Sequence, residues 1–528
     1  MPIQPFQLDF QPGIQRDGTK FDAKRYLDGW WCRWRLGRPR KMGGFVLITG
    51  SIQGLPKKIH GFYSGSQIYW HIGTTAGLFQ VVTDRFGNYV SMANRTPAAF
   101  VPGPNVGWSF DALFDTTSTV VQLIAHSVPD ANYVASVTQT IPYLGQVTST
   151  AVLTQFSNPG VSTPATWTQP NFAGAVVCVQ PFVFAFDIAG LVQWSAPNLA
   201  LYLGVVGGTS GAGQARVSAQ KIIAGMPLRG GGVQQPAAIF WSLSEVIVAS
   251  YVGSPVWFSF STVSPSSSIL SANSVIEYDG LYFWAGVDRF LVFNGTVTEV
   301  RNDQNQDWFF NNLTSGFEAQ TFAFKVPRYG EIWWCACMFG SEVPNYACIL
   351  NVRDNFWYDT PLPDGGRSAG LYAQGTNFPV MTDVINGGTG SGSLYGFWRH
   401  ESGYDKVVGN SLTAIRSYYE TGWFGGPSNT PPDDHGLRFA QLEPDFVQQG
   451  NMSVNLIGAA NARAPEVSGP VETMPQVPGV PQEQLVGFTP TMPTRLLRLH
   501  VESNVVGGNF IAGRNLGRGQ SGDKRLNS

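Results

Sequence analysis

The sequence predicts an all-β fold with a β-propeller-like main body, and three observations carry that expectation. There are 61 glycines and 35 prolines among 528 residues, enough to set a turn former every few positions. Aromatic residues reach 13% and so do charged residues, about half the usual charged share of a soluble domain. Helical periodicity is almost absent, while aromatic and β-branched runs alternate with Gly, Asp and Asn turns from about residue 44 to residue 415. Strand groups spaced by roughly forty to sixty residues fit blades of about four strands. One or two large β-sandwiches would give the same short-strand signal.

Taken in order, residues 1–43 are polar and then Arg-rich, and read as an extended N-terminal arm or edge strand. Residues 44–415 form the propeller-like body. GSQIYWHIGTTAGLFQVV (65–82) shows its unit, two apolar runs joined by a short Gly-rich connection. GLYFWAGVDRFLVFNGTVTEV (280–300) repeats it with three runs, and VVCVQPFVFAFDIAGLVQWSA (176–196) and EIWWCACMFGSEVPNYACILNVRDNFWYD (331–359) do so again. Residues 416–528 are expected to be an additional C-terminal β-domain. Its stretch PEVSGPVETMPQVPGVPQ (465–482) is too proline-rich for a sheet interior and reads as an extended loop, and GRGQSGDKRLNS has the composition of a flexible or partner-ordered end.

A net charge of -2 argues against a protein that grips nucleic acid or an anionic membrane by bulk electrostatics. So few charges also imply surface that is buried between subunits. Five cysteines, Cys32, Cys178, Cys335, Cys337 and Cys348, lack the dense spacing of a disulfide scaffold and suit a reducing compartment. No signal-peptide pattern opens the chain and no apolar run reaches transmembrane length.

Motifs for chemistry fail on context. GRSAG (366–370) has the spacing of a nucleophile elbow but lacks the strand before it and the helix after it. GGTSGAGQ (207–214) has Gln214 where a phosphate loop needs lysine, and GGTGSG (387–392) runs into a strand-like segment rather than a helix N-terminus. Cys335 and Cys337 share one strand face in this reading, with Cys348 across the hairpin. The trio lacks a fourth zinc ligand and reads as buried thiols in an apolar blade. The six histidines are dispersed, and Asp433-Asp434 sits in a solvated turn. The expectation is a non-enzymatic protein with no catalytic, cofactor-binding or metal residues.

The one concentration of charge is RWRLGRPRK, with Arg33, Arg35, Arg38, Arg40 and Lys41. Alternation would put Arg33 and Arg35 on one face of an extended segment and Trp34 on the other. Such a row can touch a passing phosphate backbone. It can equally pair with acidic residues of a neighbouring subunit or solvate an edge strand.

The opening PGIQRDGTKFDAKRYLDGWWCRWRLGRPRKMGGF resembles the start of tail nozzle proteins of short-tailed bacteriophages. IGTTAGLFQV, AQKIIAGMPLRGGGVQQPAAIFWSLSEVIVASYVGSPVWFSF, SVIEYDGLYFWAGVDRFLVFNGTVTEV, ILNVRDNFWYDTPLPDGGRSAG and LEPDFVQQGNMSVNL extend the likeness in order over most of the chain. Residues 127–175 follow it only loosely, and the proline-rich stretch departs from it. The resemblance implies a propeller-based structural virion protein, assembled as a ring, commonly a homo-hexamer, at the distal end of the tail tube. Implied partners are the tail adaptor above, fibre, spike or needle proteins, and viral double-stranded DNA in transient contact during genome ejection. It also implies synthesis in the host bacterial cytoplasm. The glycine-rich connections at 204–214 and 386–393 are candidate gate loops because glycine permits large backbone changes. A receptor- or polysaccharide-binding or depolymerising tail protein is the alternative, and would need a carboxylate pair in an open cleft.

Overall fold

Between Pro56 and His400 the apolar runs become consecutive antiparallel meanders, each turning on a short polar or glycine-bearing connection. The computed structural model describes residues 4–524 apart from 22, 105, 117, 128–141, 156–174, 188, 204–210, 230–234, 386, 388–391, 426–434, 477–484 and 489–493. Seven sheets follow one another as blades. The first comprises Pro56–Ser64, Gln67–Thr74, Leu78–Asp84 and Tyr89–Asn94. Blades two to six begin at the strands Ser109–Asp115, Val176–Val179, Ile222–Pro227, Ile276–Tyr278 and Phe322–Val326. The seventh begins at Arg367–Leu371 and continues with Val380–Asp383 and Leu394–His400. The connection from Ile276–Tyr278 to Leu281–Ala285 shows why the sequence turns where it does. Its two loop residues are Asp279 and Gly280, at φ 50° and 85°, the left-handed pair that a two-residue hairpin requires.

The ring is closed by a strand from far upstream. Phe45–Gln53 adds antiparallel to Leu394–His400 and so completes blade seven with residues that precede blade one. Seven hydrophobic clusters then fill the seven gaps between neighbouring blades. Trp108 and Leu123 meet Leu78 between blades one and two, Phe184 meets Phe240 between three and four, and Trp241 meets Trp284 between four and five. Ile59 and Trp70 meet Val380 and Phe397 between seven and one, the gap that seals the ring. Strands that are apolar on both faces, such as Glu331–Ala336 in blade six, serve two gaps at once.

That double burial corrects the arrangement expected of the cysteines. Trp334, not Cys335, stands opposite Cys348 in the strand register. Cys335 therefore packs with Trp333 toward blade seven, whereas Cys348 packs with Trp334 toward blade five. None of the five cysteines is in a disulfide and all are buried, and burial pushes the Cys178, Cys335 and Cys348 thiols well up. A thiolate-selective reagent is accordingly expected to label the native protein negligibly and all five positions on unfolding; labelling of Cys335 or Cys348 in the native state would contradict this packing.

The segments on either side of the propeller, 1–43 and 416–528, share sheets. Gln4–Leu8 pairs with Asn515–Lys524, which also pairs with His435–Glu443. Asp28–Trp30 pairs with Ser417–Glu420, and Arg38–Lys41 with Asn509–Ala512. The arm thus supplies strands to three sheets of one interleaved β-domain, into which the propeller is inserted. Two local expectations change. The chain from Asn515 to Lys524 is a strand, held on both sides from Leu516 to Gly519 and on one side beyond, through backbone pairing that its Gly-rich composition does not advertise; residues 525–528 lie outside the described residues. Within the proline-rich stretch, Val467–Met474 is a strand against Met452–Ala459. It lies at the sheet edge with an irregular register around Pro470, where a missing N–H is tolerated.

Candidate functional site: the junction of propeller and interleaved domain

The basic row folds as a hairpin, Cys32–Arg35 against Arg38–Lys41, at the seam between the two domains. Sequence alternation separates Arg33 from Trp34; the structure buries both, because this hairpin is covered on one face by its own domain and on the other by blade six. The row is thereby divided. Arg33 is fully buried and its guanidinium lies between two propeller carboxylates, 2.9 Å from Glu331 Oε1 and 2.5 Å from Glu401 Oε1. Burial pushes the Glu331 carboxyl up and the Arg33 charge opposes it, while Trp333 Nε1 donates to the same carboxylate at 3.0 Å. Lys41 is also buried; its Nζ donates to the Gly508 carbonyl at 2.8 Å, and burial lowers it to about 8. Arg38 pairs with Asp9 at 3.2 Å. Arg35 is exposed and Arg40 half-buried.

A second tie lies along the arm. Arg16 bridges Asp28 at 2.5 Å and the fully buried Asp359 of blade six at 2.8 Å. Tyr346 and Asn305 donate to the same Asp359 carboxylate at 3.2 Å each, so that its lone pairs are filled from both domains. Asp17 accepts from Asp307 N and Trp308 N and so caps the first turn of a short helix of the body, Gln306–Asn311. Close approach requires glycine at position 13, where φ is +97° and a Cβ would overlap the Trp357 carbonyl oxygen. The ties from the arm to blade six and its helix were not legible in the sequence, since Arg16 to Asp359 spans 343 residues and Asp17 to Asp307 spans 290.

The first strands of all seven blades surround an axial cavity of about 620 Å³. The acidic and basic side chains of its lining are on one side: Lys57, Lys58 and His60 from blade one, and Asp111 from blade two. Burial lowers Lys58 to about 8 and His60 to about 4, and raises Asp111 to about 6. The Asp111 carboxylate accepts from Cys178 N at 2.7 Å and Ala112 N at 2.8 Å, which fastens blade three to blade two. Ser368 of the GRSAG string is on the innermost strand of blade seven, its hydroxyl bonded to Thr382 and to the Asp383 carbonyl. Of the candidate gate connections, residues 204–210, 386 and 388–391 lie outside the described residues, as does Asp433-Asp434.

A third polar group crosses the sheet of the interleaved domain. His500 is held by Glu420 at 3.0 Å and Glu502 at 3.1 Å, and Arg498 joins Glu420 to Glu466. Burial lowers the imidazole, the two carboxylates more than reverse this, and His500 rises to about 9. Its folded value stands above the unfolded one near 6.5, so its contribution is complete below that pH and is lost as pH rises through about 9. The His500→Gln variant is expected to lose the part of the stability decline between neutral pH and about 9 that the wild type shows in thermal melts; an unchanged pH profile would refute the pairing.

Among the described residues no group of His, Cys, Asp and Glu has the arrangement of a metal site, and no helix is long and apolar enough to cross a membrane. No protein-family model and no curated protein matches the chain. Among solved structures it is similar to the crystal structure of the computationally designed Ika8 protein, at 11% identity over 67% of this chain and 98% of that one, with a TM-score of 0.37.

Proposed function

We propose that this chain is a structural tail protein of a short-tailed bacteriophage, the nozzle subunit that forms the distal tail tube, retains packaged DNA and opens the channel for its ejection. The ordered run of segments that resemble nozzle proteins motivates the reading. The observation that carries it is mechanical: a ring of seven blades closed by Phe45–Gln53 is tied to a second domain through the buried charges of Arg33 and Arg16. Such a body resists bending at its seam, as a wall element under the pressure of packaged DNA must. The axial cavity is not the conduit. A B-form duplex, whose major groove alone is about 12 Å wide, does not fit a space of about 620 Å³. In this reading the DNA passes between copies of the chain, arranged as a ring below the tail adaptor, with fibre, spike or needle proteins attached to it. Exposed apolar residues such as Val256, Val447 and Val471, at 61%, 68% and 65% exposure, supply surface for contacts between copies. Light scattering on the purified chain tests the ring: a mass several times 57.4 kDa, hexameric in the expected case, supports it, and a monomer at all concentrations in reach counts against it.

A further inference from the structure

We propose that Arg35, Arg40 and Arg328, gathered around Tyr329, form an anion site that takes the phosphodiester groups of duplex DNA. The hairpin register sets Arg33 directly opposite Arg40 and Arg35 opposite Arg38. Like charges in directly opposed positions destabilise a strand pair, so this arrangement runs against the stability of its own sheet. Two of the four charges are answered within the chain, Arg33 by Glu331 and Glu401 and Arg38 by Asp9. The other two are joined by a third. The turn Pro327–Gly330 of blade six brings Arg328 and Tyr329 onto the hairpin, braced by Arg353, whose Nη2 donates to the Pro327 carbonyl at 2.7 Å.

The guanidinium carbons of Arg33, Arg40, Arg328 and Arg35 then lie 3.8, 5.5, 5.5 and 5.9 Å from the centre of the single Tyr329 ring. Tyr329 is half-buried against the core, which fixes the ring as a platform. Among the described residues Arg35, Arg40 and Arg328 form no salt bridge, Arg40 sensing Glu401 only at a distance, and the Arg40 Nε atom is buried without an acceptor. Burial lowers Arg40, Tyr329 and the more distant Glu401 oppose this, and the neighbouring charges of Arg33 and Arg35 add to it. Three arginines without a salt bridge in a chain of net charge -2 are a local concentration rather than a general basicity.

The chemistry favours a polyanion of regular spacing. Duplex DNA offers one charge per about 1.7 Å of axis, and guanidinium forks bind phosphate oxygens in pairs. An acidic protein face would need several carboxylates placed at matching intervals. The site stands on this geometry, and it rests on the tail reading only for the source of the DNA. Contact at one patch of the wall, with the rest of the chain near neutral, would hold DNA weakly and let it move.

Anisotropy of a short labelled duplex titrated with the full-length chain tests the site, with affinity followed against salt. Replacement of the two exposed arginines, Arg35→Ser with Arg328→Ser, is expected to weaken binding about tenfold or more and to make the log K against log salt slope shallower by about 2. The charge-matched control Arg463→Ser with Arg85→Ser, both exposed and in turns between strands that do not pair with the hairpin, is expected to change neither. Inorganic tripolyphosphate should displace the duplex. The proposal is overturned by a wild-type chain that binds neither DNA nor tripolyphosphate, by equal losses in variant and control, or by polyglutamate that competes as well as DNA does. Failure of the tail reading shows elsewhere, as absence of the chain from particles, so the two failures are separable.

Discussion

The Arg33→Ala variant is expected to be destabilised by about 3–5 kcal/mol, because removal of one partner leaves buried charge uncompensated. Glu331 is fully buried beneath Trp333, and Glu401 keeps only 8% of its side chain exposed. Glu331 has no water to turn to, and Glu401 little. The pH dependence carries its own sign. Burial already pushes the Glu331 carboxyl up against the pull of Arg33; without Arg33 the folded state prefers that carboxyl protonated, so the loss shrinks as pH falls from 7 toward 5. Urea unfolding of wild type and variant at both pH values measures this. A midpoint unchanged at pH 7 would show that the triad is solvated in solution, and a loss independent of pH would show that lost packing against Tyr329 is its cause.

Deletion of residues 1–41 is expected to have the larger effect and to abolish the folded state of the interleaved domain while leaving the propeller closed. The deletion withdraws Phe6, Leu8, Ile14, Tyr26, Trp31 and Trp34, all buried. At about 1.5–3 kcal/mol for each buried apolar side chain the sum is on the order of 10 kcal/mol, comparable with the entire stability of a domain. It also exposes the unpaired edges of Asn515–Lys524, Ser417–Glu420 and Asn509–Ala512. The strand Phe45–Gln53 survives the cut, so blade seven keeps its closing strand. Limited proteolysis should release fragments from residues 417–524 and spare 45–414. Restoration of the pattern by a separately added 1–41 peptide would confirm that the arm acts as strands. A truncated chain as protease-resistant as the full one would refute the interleaving.

The blades were legible because each is a local object. A hairpin such as Ile276–Ala285 is written in ten consecutive residues, with period-two apolar runs and an Asp-Gly turn. Closure of the ring was not, because Phe45–Gln53 differs in no visible way from any other strand and its partner lies some 350 residues on. The same physics hid the arm. Its basic residues were expected at a phosphate backbone, at a neighbouring subunit or in solvent, yet Arg16 and Arg33 are buried against Asp359, Glu331 and Glu401 of the same chain, each more than 290 positions distant. The last strand misled in the opposite direction: glycine and polar side chains argue for mobility, while backbone pairing holds Asn515–Lys524 as a strand, on both sides from Leu516 to Gly519. The basic row showed the right residue types but not their fates. Without knowledge of where Glu331, Glu401 and Tyr329 fall, Arg33 cannot be told from Arg35.

The tail reading is tested most directly by imaging of intact particles with the chain labelled, and by fitting the propeller with its interleaved domain into the density at the tail tip. The account predicts a ring of copies there, each a seven-bladed disc joined to the arm-bearing domain, around an open passage formed between copies rather than through any one of them. Particles that lack the chain, or a tail tip of other shape with the chain elsewhere on the virion, would contradict it.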